Sequence, residues 1–196
     1  MTGGIHSLDP DEIRHWREAV EVGNAYINRP ITGAIVRRQA FGGWKRSSVG
    51  PGAKAGGPNY LTQFSRWNDT SLPQRQAEPS PEALALAGDD PRLLAAARSY
   101  AYWWREEFSQ EHDPSNLLGE SNHFRYKVAP EVVITDPHPL QHIAAATVGI
   151  HIVSRSKDPL AKVIESPPLA NGRLELLNYL HEQGISETTH RHGQVS

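Results

Sequence analysis

Cysteine is absent from the 196 residues, and methionine occurs once, at position 1. Without a thiol there is no disulfide framework, no thiolate metal site and no cysteine nucleophile. Long apolar runs are missing too: no stretch approaches the roughly 18–20 residues that cross a bilayer. The opening MTGGIHSLDPDEIRHW has neither the basic nor the apolar region of a secretion signal, so the sequence is read as cytoplasmic. A mean hydropathy of −0.54 and 38% hydrophobic residues describe a water-soluble chain with a modest core. Its length suits one domain or one and a half. Three catalytic templates are also lacking. There is no GxxxxGK[ST] phosphate loop and no GxSxG nucleophile elbow. A dinucleotide GxGxxG fails because Gly50-Pro51-Gly52 is followed by Gly56, one residue late, with proline in the turn.

Acid is missing from one long segment. Between Val22 and Trp67 stand Arg29, Arg37, Arg38, Lys45, Arg46, Lys54 and Arg66, with no Asp or Glu. The net charge is −2, so the remainder carries −9. Such a stretch favours an anionic partner, a phosphate, carboxylate or nucleic acid. The plainer reading is a solvated basic face, or pairing with acids from elsewhere. A nucleic-acid groove would need a stacking platform of aromatics; here the lysines and arginines sit among loop glycines, so no nucleic-acid partner is expected.

Local signals predict helices over residues 9–23, 81–88 and 90–110, opened by Asp9-Pro10, Ser80-Pro81 and Asp90-Pro91. Gly23 reads as the stop of the first. Strands are predicted at 25–28 and 60–67. Residues 132–135, 138–148 and 150–153 read as strand, helix and strand, a small α/β unit. A last helix is predicted over 172–183, stopped by Gly184. Residues 68–80 are polar and aperiodic, a linker. The Trp103-Trp104 pair reads as packing rather than a base-stacking platform. Two histidine arrangements, His138/His142 and His190-Arg191-His192, bring no third ligand at a metal spacing, so no metal is expected.

The densest signal lies in residues 23–64. Gly42, Gly43, Gly50, Gly52, Gly56 and Gly57 cluster within sixteen positions. Glycine serves where backbone needs positive φ or close approach to a ligand, and successive N–H groups form an anion-binding nest. The segment resembles the C-terminal signature of the aldehyde dehydrogenase superfamily. It carries Gly23-Asn24, Tyr26, Asn28-Arg29, Thr32-Gly33-Ala34, and Phe41-Gly42-Gly43 with Lys45 and Ser47. Ala40 stands where the family usually has proline. The run from Gly50 to Leu61 is similar to the branch that oxidises glutamate γ-semialdehyde (1-pyrroline-5-carboxylate), often fused to proline dehydrogenase in bacteria.

The resemblance implies the following. The fold is α/β: the end of an aldehyde dehydrogenase catalytic domain (1–67), a linker (68–80), and a helical segment with a small Rossmann-like, noncatalytic α/β domain (81–196). Gly56 and Gly57 hold the substrate α-carboxylate through backbone N–H groups, Phe64 packs on the substrate chain, and Phe41 lines the substrate tunnel. The parent enzyme uses NAD and acts on glutamate semialdehyde. Leu118–Tyr126, Asn171–Leu177 and His190-Arg191-His192-Gly193 look like the C-terminal extension of long proline-catabolic enzymes, with His192 where relatives have tyrosine. Because nucleophile and cofactor fold are absent, the chain is expected to be inactive alone, with a catalytic-half or self-association partner. A noncatalytic module that docks onto a dehydrogenase, for assembly or to cover a tunnel, is the alternative.

Overall fold

The structure is a computed structural model that describes residues 1–48 and 52–188. Gly50 and the His190-Arg191-His192 tail lie outside the described residues. Two compact units form, and the chain passes between them four times. Unit 1 comprises Met1–Phe64, Glu111–Tyr126 and the segment from Glu182 onward; unit 2 comprises Ser65–Gln110 and Lys127–His181.

Unit 1 opens with β1 (Thr2–Ile5) and α1 (Pro10–Ala19). The Asp9 carboxylate caps α1 by accepting from the N–H groups of Asp11 and Glu12, and Pro10 loses no bond at the first helical position. The helix ends four residues before Gly23, where Val20 turns extended. Gly23 is therefore not its stop. A Cβ there would lie 1.9 Å from the Gly42 carbonyl oxygen, so glycine is needed for close packing. Next come β2 (Asn24–Ile27) and, much later, β3 (Glu120–Val128) and β7 (Leu180–Thr188). Their sheet has the order β1-β2-β7-β3. The pairs β1/β2 and β2/β7 are parallel, with Asn24 opposite Gly184. Ala25, Ile27 and Ile185 form a buried cluster on which Ile5, Ile13, Trp16, Val20 and Val22 pack. Each such side chain removed from water contributes up to about 1.5–3 kcal/mol.

Unit 2 holds α2 (Pro81–Ala87), α3 (Pro91–Trp103), β4 (Glu131–Val133), α4 (Pro139–Val148), β5 (His151–Val153), β6 (Lys162–Val163) and α5 (Gly172–Glu175). Ser80 and Asp90 cap α2 and α3 as the sequence suggests, and a wide turn, Trp104–Phe108, extends α3. The strands form a parallel sheet of order β5-β4-β6. Helix α4 connects β4 to β5 and packs on α2 and α3. Its Leu140, Ile143, Ala144 and Val148 are buried, as is Val132 of the sheet.

Three further readings differ from the structure. Residues 60–64 are a 3-10 turn, not a strand: Pro58 fixes the backbone before it, and Thr62 N–H and Oγ1 both bond the Asn59 carbonyl. The last helix stops at Glu175, passes through a 3-10 turn (Leu176–Tyr179) and becomes β7. Gly184 lies inside that strand because pairing with β2 outweighs local helix spacing. The linear division at 68–80 also gives way to interleaved units. The 68–80 segment is irregular, yet it is tied into unit 2: Asp69 accepts from the Ala170 N–H (2.8 Å), and Ala77 donates to the Arg98 carbonyl (3.0 Å).

Candidate functional site

The irregular segment after β2 brings the glycine motifs of unit 1 together. Phe41 and Ala55 exchange both backbone hydrogen bonds, Phe41 N–H to Ala55 O at 3.0 Å and Ala55 N–H to Phe41 O at 2.9 Å. One residue on, Gly56 has φ +76° and accepts from the Arg37 N–H (3.0 Å). A side chain at Gly56 would be strained by its φ and crowd the Val36 backbone at 3.0 Å. The stretches around Val36, Phe41 and Gly56 thus form one surface.

The four expected contact residues are placed unequally. Phe41 is partly exposed at the bridge, and Gly56 sits beside it on the turn. Gly57 donates its N–H to the Lys54 carbonyl (2.9 Å), so that amide closes a turn rather than facing a ligand. Phe64 is 67% exposed, with its ring edge-on to Tyr60 at 5.2 Å. The sequence reading gave no role to Gly33-Ala34. Both are exposed, Gly33 has φ +92°, and nothing lies within 4 Å of where its Cβ would be. Its glycine is demanded by that positive φ and not by packing. The signal was present in Thr32-Gly33-Ala34, one stretch of the motif.

Part of the basic stretch is paired with acids from outside it. Arg29 and Arg38 both bond Glu120; burial pushes its carboxyl up, but the bonds from Arg38 and Asn122 and the charges of Arg38 and Arg29 together outweigh it and hold it below its ordinary range. Lys45 pairs with Glu21 at 2.5 Å. Lys54 is fully buried, and burial lowers its pKa to about 7 against the opposing pull of Glu182. Arg37, next to Gly56, stays exposed and supplies local positive charge.

In unit 2 a crevice of about 330 Å³ opens where β4 and β6 end and α4 begins, lined among others by Thr135, Asp136, His138, Gln141, Glu165 and Ser166. This is the switch point of the parallel sheet, where α/β folds often take ligands. It does not fit a dinucleotide. Pro139 offers no N–H, His138 Nδ1 takes the Leu140 N–H, and Gln141 Oε1 takes the His138 N–H. The helix terminus that would hold a pyrophosphate is capped by its own side chains, and two acids stand nearby. His138 is therefore a helix cap. Among the described residues no group of three or more His, Asp or Glu is placed to hold a metal ion, and no helix is long and apolar enough to cross a membrane.

Comparison with known proteins adds the following. The model of the aldehyde dehydrogenase family matches residues 1–70. The 1-pyrroline-5-carboxylate dehydrogenases of Bacillus thuringiensis (strain Al Hakam) and Bacillus mycoides (strain KBAB4) are each 46% identical over 71 residues. Those matches cover 36% of this chain and 13% of either relative. The structure of Proline Utilization A (PutA) from Corynebacterium freiburgense superposes with a TM-score of 0.88 at 40% identity, covering 99% of this chain and 23% of that one. The chain thus spans less than a quarter of the proteins it matches. Residues 1–70 match the aldehyde dehydrogenase family, and the chain over nearly its whole length is similar to one segment of a proline utilization A.

Proposed function

We propose that unit 1 supplies the loop that grips the α-carboxylate of glutamate γ-semialdehyde in an NAD-dependent 1-pyrroline-5-carboxylate dehydrogenase of proline catabolism. The observation that carries this reading is the convergence of Phe41, Gly56 and Arg37 on one surface. Backbone N–H groups at positive-φ glycines, Gly33-Ala34 and Gly56, are the donors; the exposed Arg37 adds positive charge. Phe41 and Phe64 offer rings to the aliphatic part of the substrate. The Gly57 amide serves as a turn closure, so its role is to set the course of Gly56.

NAD would accept the hydride in the complete enzyme; among the described residues, the self-capped start of α4 offers no seat for its pyrophosphate. With no cysteine in the sequence, no thiohemiacetal forms on it, and the chain alone is inactive. Unit 2 is read as the noncatalytic, Rossmann-like α/β domain of such enzymes. The exposed Ile35, Val36, Phe41, Leu61 and Phe64 of unit 1 support the second reading, a segment that docks onto a dehydrogenase.

Calorimetric titration of the purified chain tests the first reading. L-Glutamate should bind weakly and saturably, and 4-aminobutyrate, which lacks the α-carboxylate, should not. Equal heats from both would overturn it; NADH production from the semialdehyde above the no-protein rate would overturn the inactivity of the chain alone.

A further inference from the structure

We infer that Glu182 and Lys54 are positioning residues for the ligand loop, a buried clamp reaching from β7 that sets the Phe41–Ala55 bridge and the course of Gly56. The inference rests on the function proposed above for that loop.

The clamp is built from one carboxylate and one ammonium. Glu182 is 6% exposed. Its Oε2 accepts from the Lys54 backbone N–H (2.8 Å) and its Oε1 from Asn59 Nδ2 (2.7 Å). Its backbone carbonyl accepts from Trp44 Nε1 (2.8 Å). A single residue of β7 therefore holds positions 44 and 54 within the glycine cluster and 59 just beyond it. Lys54 continues the connection inward: Nζ donates to the Gly42 carbonyl (2.5 Å) and to Asn24 Oδ1 (3.1 Å). Asn24 in turn accepts from the Gly42 N–H and donates to the Ala40 carbonyl. Residues 40 and 42, which flank Phe41, and residue 54, which precedes Ala55, are thus all fixed by this network.

Physical chemistry makes the arrangement more than filler. A buried carboxylate or ammonium is tolerated only when paired and fully hydrogen-bonded. Here these donors and acceptors meet only while the loop keeps its present course, so leaving that course gives up their hydrogen bonds. Gly42 is also pressed against the lysine stem, its Cβ position lying 3.2 Å from Lys54 Cγ. Glu182 lies outside residues 1–70, the span of the family match. The clamp is therefore a contribution of the C-terminal strand to a loop about 128 positions away. Glu182 is the charged group acting on Lys54, and burial outweighs it.

The test uses the full chain and three variants, Glu182→Gln, Glu182→Ala and Lys54→Met, with amide hydrogen exchange read at Phe41 and Ala55. Gln keeps one acceptor but turns an NH₂ toward the other donor; Met keeps the stem and removes the donor. In each, exchange at Phe41 and Ala55 should accelerate at least about fivefold, the cost of one unmet buried partner, while the amides of α3 and α4 exchange as in the parent. The pH profile separates positioning from bulk: after correction for intrinsic rates, parent protection should rise as pH increases above about 7, because loop opening returns Lys54 to its ordinary pKa. Lys54→Met should abolish that rise. Unchanged exchange at both amides in folded Glu182→Gln and Lys54→Met, or a pH rise that survives Lys54→Met, overturns the clamp. Should Glu182→Ala not fold, the other two variants decide. Failure of the parent to bind glutamate would sink the proposed function but leave these exchange results to judge the clamp.

Discussion

Glu175 offers the sharpest energetic prediction. Its side chain is fully buried in unit 2. Burial raises its pKa to about 7, with the hydrogen bonds from the Leu169 N–H (2.9 Å) and the Tyr179 hydroxyl (3.1 Å) opposing and the Asp69 charge adding to the rise. A carboxyl whose folded pKa exceeds its ordinary 4.5 supports folding fully below pH 4.5, and that support is lost as pH climbs to about 7. The gap is worth at most roughly 3 kcal/mol. Glu175→Gln removes the charge at constant shape. Its amide oxygen can accept from Leu169, and its NH₂ can donate to Tyr179, whose hydroxyl then turns to the Gln141 carbonyl at 3.4 Å. The variant should therefore match the parent near pH 4.5 and exceed it at pH 8 by about 1–3 kcal/mol, roughly 2–10 °C in melting temperature for a chain of this size. Thermal unfolding by circular dichroism at both pH values reads this directly. A Gln variant no more stable than the parent at pH 8 would refute the reasoning.

Two further substitutions test the backbone argument. Gly23→Ala places a methyl 1.9 Å from the Gly42 oxygen; it should cost about 3 kcal/mol or more, as overpacking does, and show as early unfolding of unit 1 in urea. Asp90→Ala removes the acceptor for the Arg92 and Leu93 N–H groups and should cost about 1 kcal/mol, measured as a shift in urea midpoint without a change in slope.

What the sequence made legible was local. Asp9-Pro10, Ser80-Pro81 and Asp90-Pro91 mark helix starts because capping needs only neighbouring residues. The β4-α4-β5 unit was likewise readable from short apolar runs around one helix. The sheet of unit 1 was not. Strand β1 is TGGI, whose glycines give no strand signal, and β7 carries Glu182, Gln183 and Gly184 buried between strands that lie far away in sequence. Nothing within a few residues of Leu180 indicates that Asn24 will pair opposite Gly184. The site shows the same limit. Gly56 and Phe41 stood out by motif, but Gly57's use in a turn and Glu182's reach to Lys54 depend on where the chain returns.

The central claim is that unit 1 presents a carboxylate-gripping surface around Phe41 and Gly56. Titrating the ¹⁵N-labelled chain with L-glutamate and following its amide resonances tests it most directly. The account predicts saturable shifts at Gly33, Ala34, Phe41 and Gly56, with smaller ones at Gly57, whose N–H is already engaged. Shifts confined to the crevice residues Thr135–Gln141 of unit 2, or none at all, would contradict it.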